Sequence, residues 1–219
     1  MKKVLYLGVS PSHFISEDEV IHYPVIRLIP KNIQDERVLF CLNQLEKFSF
    51  CLLTSKNSVE ILWDLCSQLS LSPEVCLRSK CISIGSITSS ALRAKGVEPC
   101  LQALEATQEG LISCLQEKLA PDSYVFYPRS SLARPLLSNY LLSKGILHQV
   151  LDLYDTVYQA LDPKPCLEEI SEIVFTSPST VDGFFKIFAK IPKNIKLSFQ
   201  GPITKKKFHE KCRSLLINF

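Results

Sequence analysis

Residues 174–181 read VFTSPSTV and residues 52–59 read LLTSKNSV, so one strand-to-helix junction occurs twice in this chain. In both copies a hydrophobic run ends in Thr-Ser and a helical pattern follows. Each copy precedes a second junction, GSIT at residues 85–88 and GPIT at residues 201–204. Helix N-termini at such junctions present free N–H groups and the positive end of the helix dipole, which attract anions. The repetition predicts two lobes that bind one polyanionic ligand.

The composition is that of a folded protein that acts on small molecules. Of 219 residues, 46% are apolar, and the net charge is +3. No run approaches the roughly 18 apolar residues that a membrane span needs. The main basic cluster, residues 205–207 with Lys211 and Arg213, is typical of a solvated helix face, with attraction of a polyanion as the alternative. We therefore expect no membrane and no nucleic-acid partner.

The nine cysteines are odd in number, scattered, and include no C-x-x-C pair. The short apolar run after the N-terminal lysines ends at Gly8 and lacks a cleavage-like segment. This pattern predicts reduced thiols and a cytoplasmic location. The four histidines have no paired ligand spacing, so no metal site is expected.

The middle of the chain, from about residue 37 to 153, alternates apolar runs with helical periodicity. Strands are predicted at residues 48–53, 81–84, 97–101, 124–127 and 146–153. Three helices are predicted from apolar stripes: one after Ser55 as N-cap, one from Thr107, and one after Ser131 that includes Leu132. Two helices should end at Gly96 and Gly145. Five strands with intervening helices predict a flavodoxin-like parallel sheet.

The remaining strands lie near the two termini, at residues 4–9, 23–29, 172–175 and 195–199. Neither terminal set can form a well-buried sheet alone, because parallel strands need neighbours and helical cover on both faces. We therefore expect two flavodoxin-like α/β lobes with parallel sheets. Residues 1–34 and 158–219 would form a discontinuous terminal lobe, and residues 35–157 an inserted lobe. Two chain crossings, near residues 29–33 and 155–160, would form a two-stranded hinge.

The hydroxyl-rich junctions have two interpretations. Ser and Thr are preferred N-caps and Pro is favoured at the first helical position, so each junction could serve only to cap its helix. However, four such junctions at the carboxyl ends of parallel strands fall where open α/β sheets bind ligands. A fifth, YPRSS at residues 127–131, adds Arg129, and Arg134 follows; guanidinium groups suit carboxylate or phosphate. The pattern favours an anion site among these junctions.

Tyr154 ends the last strand of the middle block, in the sequence DLYDTVY at residues 152–158. As an amphipathic aromatic residue it could simply seal a domain junction. A phenol can also donate a proton to a leaving group where water is excluded. No His or carboxylate occupies a comparable turn, so Tyr154 is the candidate acid.

Taken in order, these motifs resemble uroporphyrinogen-III synthase: T-S-x-x-[ST]-V, I-G-x-x-T, Y-P-R-x-x-x-x-R-x-x-L, Y-x-T, F-T-S-P-S-T-V-x-x-F and G-x-I-T, over about residues 50–210. The resemblance implies a monomeric, two-lobed enzyme of tetrapyrrole biosynthesis that needs no cofactor or metal. It would cyclise hydroxymethylbilane to uroporphyrinogen III, inverting ring D and releasing water. The eight carboxylates of that substrate agree with the predicted anion site, and catalysis would be largely orientation of a reactive chain.

The resemblance also implies roles for particular residues. Tyr154 would assist departure of the substrate hydroxyl. The substrate-contacting junctions would be those of Ser55, Thr88, Ser177, Ser179 and Thr204. The chemistry of its guanidinium, rather than the resemblance, makes Arg129 a candidate to bind substrate carboxylates.

The ends of the chain depart from the family pattern. The segment from residue 8 to 21 is short and lacks the Arg-containing turn that the family usually has there, and few residues follow the last motif. We therefore expect a terminal lobe trimmed at both ends, with residues 215–219 as a last short strand. Two other classes stay open: a sugar-phosphate-binding α/β enzyme, which would need a base that these junctions do not offer, and a catalytically silent anion-binding module.

Overall fold

A computed structural model describes residues 2–12, 14–78, 80–188 and 190–215. The strands are β1 Lys3–Tyr6, β2 Glu19–His22, β3 Ile26–Pro30, β4 Phe50–Leu53, β5 Cys81–Ser83, β6 Leu101–Gln102, β7 Tyr124–Ser130, β8 Leu147–Tyr158, β9 Glu172–Phe175 and β10 Lys196–Phe199. The helices are α1 Glu36–Leu42, α2 Lys56–Gln68, α3 Pro73–Cys76, α4 Ser86–Ala94, α5 Gln108–Lys118, α6 Leu136–Ser143, α7 Pro178–Ile187 and α8 Pro202–Ser214. No helix in these ranges combines the length and apolar character of a membrane span.

The chain forms two compact units. Met1–Leu28 and Thr156–Phe219 form the terminal unit, and Ile29–Asp155 forms the inserted unit. Each contains a sheet with helices, and the strand pairs with a recorded register in both are parallel. The predicted α/β class with parallel sheets is confirmed.

The terminal unit has a four-stranded sheet in the order β10-β9-β1-β2. Numbered within the unit this order is 4-3-1-2, which reversed is the 2-1-3-4 of a flavodoxin-like sheet. Its core is rich in stacked and tilted aromatic rings, including Phe175, Phe184 and Phe208. The point at which the strand order reverses lies between β1 and β9, so their carboxyl ends should flank a ligand-binding crevice.

One strand of the terminal sheet differs from the prediction. The strand expected over residues 23–29 is present from Ile26 as β3, but its assignment to the terminal sheet is wrong: β2 at Glu19–His22 pairs with β1, and β3 belongs to the six-stranded sheet. Pro24 separates the two elements and has no N–H to continue a strand ladder. The segment from Glu19 to Pro30 therefore contributes strands to two sheets.

The six-stranded sheet has the order β3-β8-β7-β4-β5-β6, and its strands β4 to β7 lie wholly in the inserted unit. Strands β4 to β8 are parallel and, numbered within the unit and read from β6, have the order 3-2-1-4-5. This is a doubly wound order that differs in detail from flavodoxin. Its reversal point lies between β4 and β7, which places the Thr-Ser turn after β4 beside the Tyr-Pro-Arg segment of β7.

Most local signals of the inserted unit are confirmed. Ser55 caps α2, and Gly96 and Gly145 follow α4 and α6 with φ of +79° and +66°. Two predictions are wrong. The strand expected over residues 97–101 is only Leu101–Gln102. The helix expected after Ser131 begins at Leu136 and leaves Leu132 exposed, because the residue before Pro135 is disfavoured in a helix.

The short strand expected over residues 215–219 falls almost entirely outside the described residues. Leu215 itself ends α8 as its C-cap residue.

Candidate active site

The Thr-Ser turn of the inserted unit is a helix cap with a hydroxyl network. Ser55 Oγ accepts the N–H of Ser58 at 3.0 Å and lies 2.9 Å from Ser58 Oγ. The capping interpretation therefore holds for Ser55. Ser55 can still donate a hydrogen bond as well, because a capping hydroxyl accepts a hydrogen bond and keeps its own hydrogen.

Tyr154 reaches this cap from β8. Its phenol oxygen lies 3.4 Å from Ser55 Oγ, and the side chain is 4% exposed. Strand β7 lies between β8 and β4, which are thus about 9.6 Å apart, so the phenol extends over the carboxyl end of β7. Asp152 is opposite Arg129, but Tyr154 is opposite Ser130, which marks a bulge in β8. Bulges commonly re-aim side chains next to active sites.

Arg129 is largely buried beside this network. Its Nε donates to Asp152 at 2.9 Å, and its guanidinium lies 5.7 Å from the centre of the Tyr127 ring. Nη1 is buried without a hydrogen-bond partner in the described part of the chain. A buried charged donor without a partner is costly, so its retention indicates a functional or electrostatic role. Arg134, by contrast, is engaged by a bidentate ion pair with Glu109 at 2.7 Å.

Tyr127 and Gln108 support the site, and the sequence analysis did not identify them. Tyr127 is fully buried and receives a hydrogen bond from Gln108 Nε2 at 3.3 Å. Burial raises the pKa of Tyr127, against a hydrogen bond with Thr54 and the nearby charge of Arg129. The phenol of Tyr127 therefore stays protonated. Gln108 begins α5 within a polar stretch, so no sequence signal separates it from a solvated residue.

Lys56 is a third residue that the motif analysis overlooked. It is the first residue of α2, directly after the Ser55 cap. Burial lowers the pKa of Lys56, with Glu60 acting in the opposite direction. A half-buried ammonium at a helix N-terminus is itself unfavourable next to the dipole, and it would be stabilised by a bound carboxylate.

The two Gly-x-Ile-Thr junctions share one arrangement. Gly85 and Gly201 stand at the N-caps of α4 and α8, and neither helix has a side-chain cap. Thr88 and Thr204, the third residue of each helix, are buried at 3% and 2% exposure. Thr204 donates to the carbonyl of Gln200 at 3.2 Å. These threonine side chains therefore point inward, and the free N–H groups of each first turn are the available donors.

The Thr-Ser turn of the terminal unit has more hydrogen bonds within the turn than that of the inserted unit. Ser177 Oγ accepts the N–H of Thr180 at 3.3 Å and lies 2.9 Å from Ser179 Oγ. Thr180 Oγ1 accepts two backbone N–H groups, from Thr176 and Ser177, and donates to the Ser177 carbonyl. After β1, Gly8 allows close approach, since a Cβ there would lie 2.8 Å from Thr176.

The structure thus brings some predicted site residues together directly. Tyr154 contacts Ser55, and Ser177 contacts Ser179. Arg129 lies beside Tyr127, whereas no hydrogen bond within the described part joins Thr88 to the others. No group of three or more His, Cys, Asp or Glu in the described ranges could hold a metal ion. Chemically, the inserted unit offers the Tyr154 phenol as a proton donor and positive charge at Lys56 and Arg129, and each unit offers N–H groups at its helix N-termini that suit carboxylates.

Comparison with known proteins gives one consistent family. A family model described as uroporphyrinogen-III synthase HemD matches residues 18–212. The porphyrin biosynthesis protein HemD of Ruminiclostridium josui is 27% identical over 197 residues, covering 88% of this chain and 37% of that protein. A putative uroporphyrinogen-III synthase of Methanothermobacter thermautotrophicus is 26% identical over 182 residues, covering 75% of this chain and 70% of that protein. The chain therefore spans little more than a third of the first relative.

Solved structures of similar fold have lower sequence identity. A mutant uroporphyrinogen III synthase of Thermus thermophilus is 18% identical with a TM-score of 0.63, covering 96% of this chain and 89% of that one. The uroporphyrinogen-III synthetase of Helicobacter pylori is 17% identical with a TM-score of 0.61 and the same coverages. At these identities the likeness establishes the fold.

Proposed function

We propose that this chain, which belongs to the uroporphyrinogen-III synthase family, cyclises hydroxymethylbilane to uroporphyrinogen III with inversion of ring D and loss of water. The observation that carries the proposal is the phenol of Tyr154 at 3.4 Å from the Ser55 cap, at the strand-order reversal between β4 and β7. Open α/β sheets bind ligands at this point.

The role of Tyr154 is to donate a proton to the departing hydroxyl. The carbon–oxygen bond of the hydroxymethyl group breaks, the oxygen leaves as water with the phenol proton, and the ring nitrogen electrons stabilise the resulting azafulvenium cation. The proton returns from the ring that has formed the new carbon–carbon bond, so the enzyme ends unchanged. General-acid assistance of this kind contributes about 10²- to 10⁴-fold in favourable cases. The substrate is reactive by itself, so the contribution here lies below that range.

Binding rests on groups suited to carboxylates. The uncapped first turns of α4 and α8 offer backbone N–H groups, and the Ser177–Ser179 pair offers the one hydroxyl hydrogen that their mutual contact leaves over. Lys56 and Arg129 add positive charge. Holding the chain ends in the reactive orientation is the main catalytic task, because orientation alone can supply several kcal/mol of the barrier.

We also propose the organisation of the enzyme. It consists of a terminal lobe, residues 1–34 and 158–219, and an inserted lobe, residues 35–157. It acts as a monomer in the cytoplasm on a small molecule, without nucleic acid and without cofactor. The nine free cysteines suit a reducing compartment. Size-exclusion chromatography with light scattering should give the mass of one chain, 24.7 kDa.

The test uses freshly prepared hydroxymethylbilane and separates the product isomers after oxidation to porphyrins. The proposal predicts consumption faster than the uncatalysed rate and a product dominated by isomer III. A mixture dominated by isomer I at the uncatalysed rate would refute it. If the protein still bound the substrate under those conditions, the anion-binding module would be the better description. Stabilisation by a sugar phosphate but not by the tetrapyrrole would favour the sugar-phosphate enzyme.

A further inference from the structure

Three hydroxyl groups in contact lead from the first turn of α2 to Tyr154. Ser58 Oγ lies 2.9 Å from Ser55 Oγ, which lies 3.4 Å from the Tyr154 phenol oxygen. Ser58 and Tyr154 are 1% and 4% exposed. The outer contact exceeds the usual 2.7–2.8 Å of hydroxyl hydrogen bonds. Catalytic contacts are commonly longer before substrate binds and then shorten.

Counting hydrogens fixes the direction of this chain. Within the described residues, the Ser58 hydroxyl has Ser55 Oγ as its hydrogen-bond partner. A buried hydroxyl hydrogen without an acceptor is costly, so Ser58 donates to Ser55. Ser55 Oγ also accepts the Ser58 N–H at 3.0 Å, which fills its two lone pairs. With both lone pairs filled, Ser55 Oγ cannot accept from Tyr154, so Ser55 is the donor in the 3.4 Å contact and the Tyr154 hydrogen is left for a ligand.

The second Thr-Ser turn shows that a hydrogen bond from the third helical residue to the capping serine is not a general property of this cap. Thr180 occupies the same position in α7 that Ser58 occupies in α2. Its hydroxyl accepts two N–H groups and donates to the Ser177 carbonyl, so all its hydrogen bonds stay within the turn. Ser58 makes none of those backbone contacts through its hydroxyl. Its hydrogen is instead directed toward Ser55, the residue that contacts Tyr154.

We propose that Ser58 is a positioning residue that, through Ser55, keeps the phenol of Tyr154 oriented as a hydrogen-bond donor to the departing hydroxyl. This inference rests on the proposed function. Without Ser58 Oγ, the Ser55 hydroxyl can turn to accept from Tyr154. The phenol would then spend part of its time donating to Ser55 and would be unavailable to the substrate.

The test is a pair of substitutions with a matched control. Ser58→Ala removes the hydroxyl and keeps a good helix former. Ser89→Ala removes a comparable hydroxyl from the same unit: Ser89 is fully buried and lies 2.6 Å from Ser83 Oγ and from Gln102 Oε1. We expect Ser58→Ala to lower kcat about 3- to 10-fold, within the general-acid contribution, with KM changed less than about twofold. Ser89→Ala should lose comparable stability and keep its kcat.

The same substitution in a Tyr154→Phe background isolates the mechanism. A positioning residue acts only through the phenol, so Ser58→Ala should lower kcat in the wild type and leave it unchanged when the phenol is already absent. Equal losses in both backgrounds, or an unchanged kcat for Ser58→Ala, would overturn the inference. Failure of the wild type to form isomer III would instead refute the proposed function, so the two failures are distinguishable.

Discussion

Replacing Tyr154 by Phe removes one oxygen atom from a side chain whose ring is otherwise enclosed. The residue is 4% exposed, so its packing survives the change. The phenol oxygen has one long contact, 3.4 Å to Ser55 Oγ, and net hydrogen-bond contributions are about 0.5–1.5 kcal/mol. A contact of this length should lie at the lower end. We therefore expect the free energy of unfolding to fall by less than about 1 kcal/mol.

The effect on turnover should be larger than the effect on stability. If the phenol assists departure of the hydroxyl, kcat should fall about 10-fold or more, which corresponds to about 1.4 kcal/mol in the activation free energy. Orientation of the substrate survives, so enzymatic product should remain isomer III. Isomer I should appear only from substrate that escapes and closes spontaneously.

The assay follows isomer formation from fresh hydroxymethylbilane, with Tyr158→Phe as the matched control. Tyr158 ends the same strand, and its ring lies 3.7 Å from Lys186 Nζ, a contact that a Phe ring preserves. Tyr158→Phe should keep the wild-type rate. A full-rate Tyr154→Phe variant would refute the acid role and leave orientation as the whole mechanism. Equal losses in both variants would point to a general effect on the strand.

Four further predictions test the surrounding structure. Ser177→Ala should weaken substrate binding by about 1–2 kcal/mol, and Ser177→Asp should raise KM further while the helix cap is kept. Gly8→Ala should destabilise the terminal unit by about 1–3 kcal/mol in denaturant unfolding, because the new Cβ would lie 2.8 Å from its neighbours. Residues 29–155 expressed alone should unfold cooperatively, since that unit has its own core. Burial alone would raise the pKa of Glu172, but hydrogen bonds from Lys196 and a nearby serine lower the pKa overall. The contribution of the Glu172 carboxylate to the stability of the fold should therefore be lost as pH falls below 4.5. Glu172→Gln should make stability depend less on pH in that range.

Each of these has an outcome that contradicts it. If Ser177→Ala left the affinity for substrate unchanged, Ser177 would serve only as a helix cap. Wild-type stability of Gly8→Ala would mean that the strand end moves freely. A fragment without a cooperative transition would argue for a single interdependent fold. If Glu172→Gln left the loss of stability at low pH unaltered, other carboxylates would be responsible for the proton uptake.

The local elements could be predicted because their causes are local. Ser55 has the side chain that caps a helix, and Gly96 and Gly145 have the conformational freedom that a helix end with positive φ needs. The alternation of apolar runs and helical stripes was enough to predict parallel sheets. It could not predict which strands are neighbours, because strands in the two units alternate with helices in a similar way yet adopt different orders.

The site was harder to predict, because its geometry depends on non-local pairing. The contact between Tyr154 and Ser55 requires that β8 and β4 flank β7 and that a bulge shifts the register next to Ser130. Neither condition has a sequence signal. The motif analysis identified the junctions of Thr88 and Thr204, but it could not predict that both side chains are buried, which leaves the backbone N–H groups as the donors that these turns offer a ligand.

Capping and ligand binding are not competing uses of a serine at a helix N-terminus. The cap needs one acceptor, and Ser55 and Ser177 each provide it to the N–H three residues later. A serine hydroxyl also has one hydrogen, which the cap does not consume. What differs between the two turns is the neighbour that determines where this hydrogen points: Ser58 fills the second lone pair of Ser55, whereas Thr180 closes on the backbone instead. The repeated Thr-Ser motif therefore fixes two helix starts by the same means, and the residue at the third helical position differs in whether its hydroxyl contacts the capping serine or the backbone.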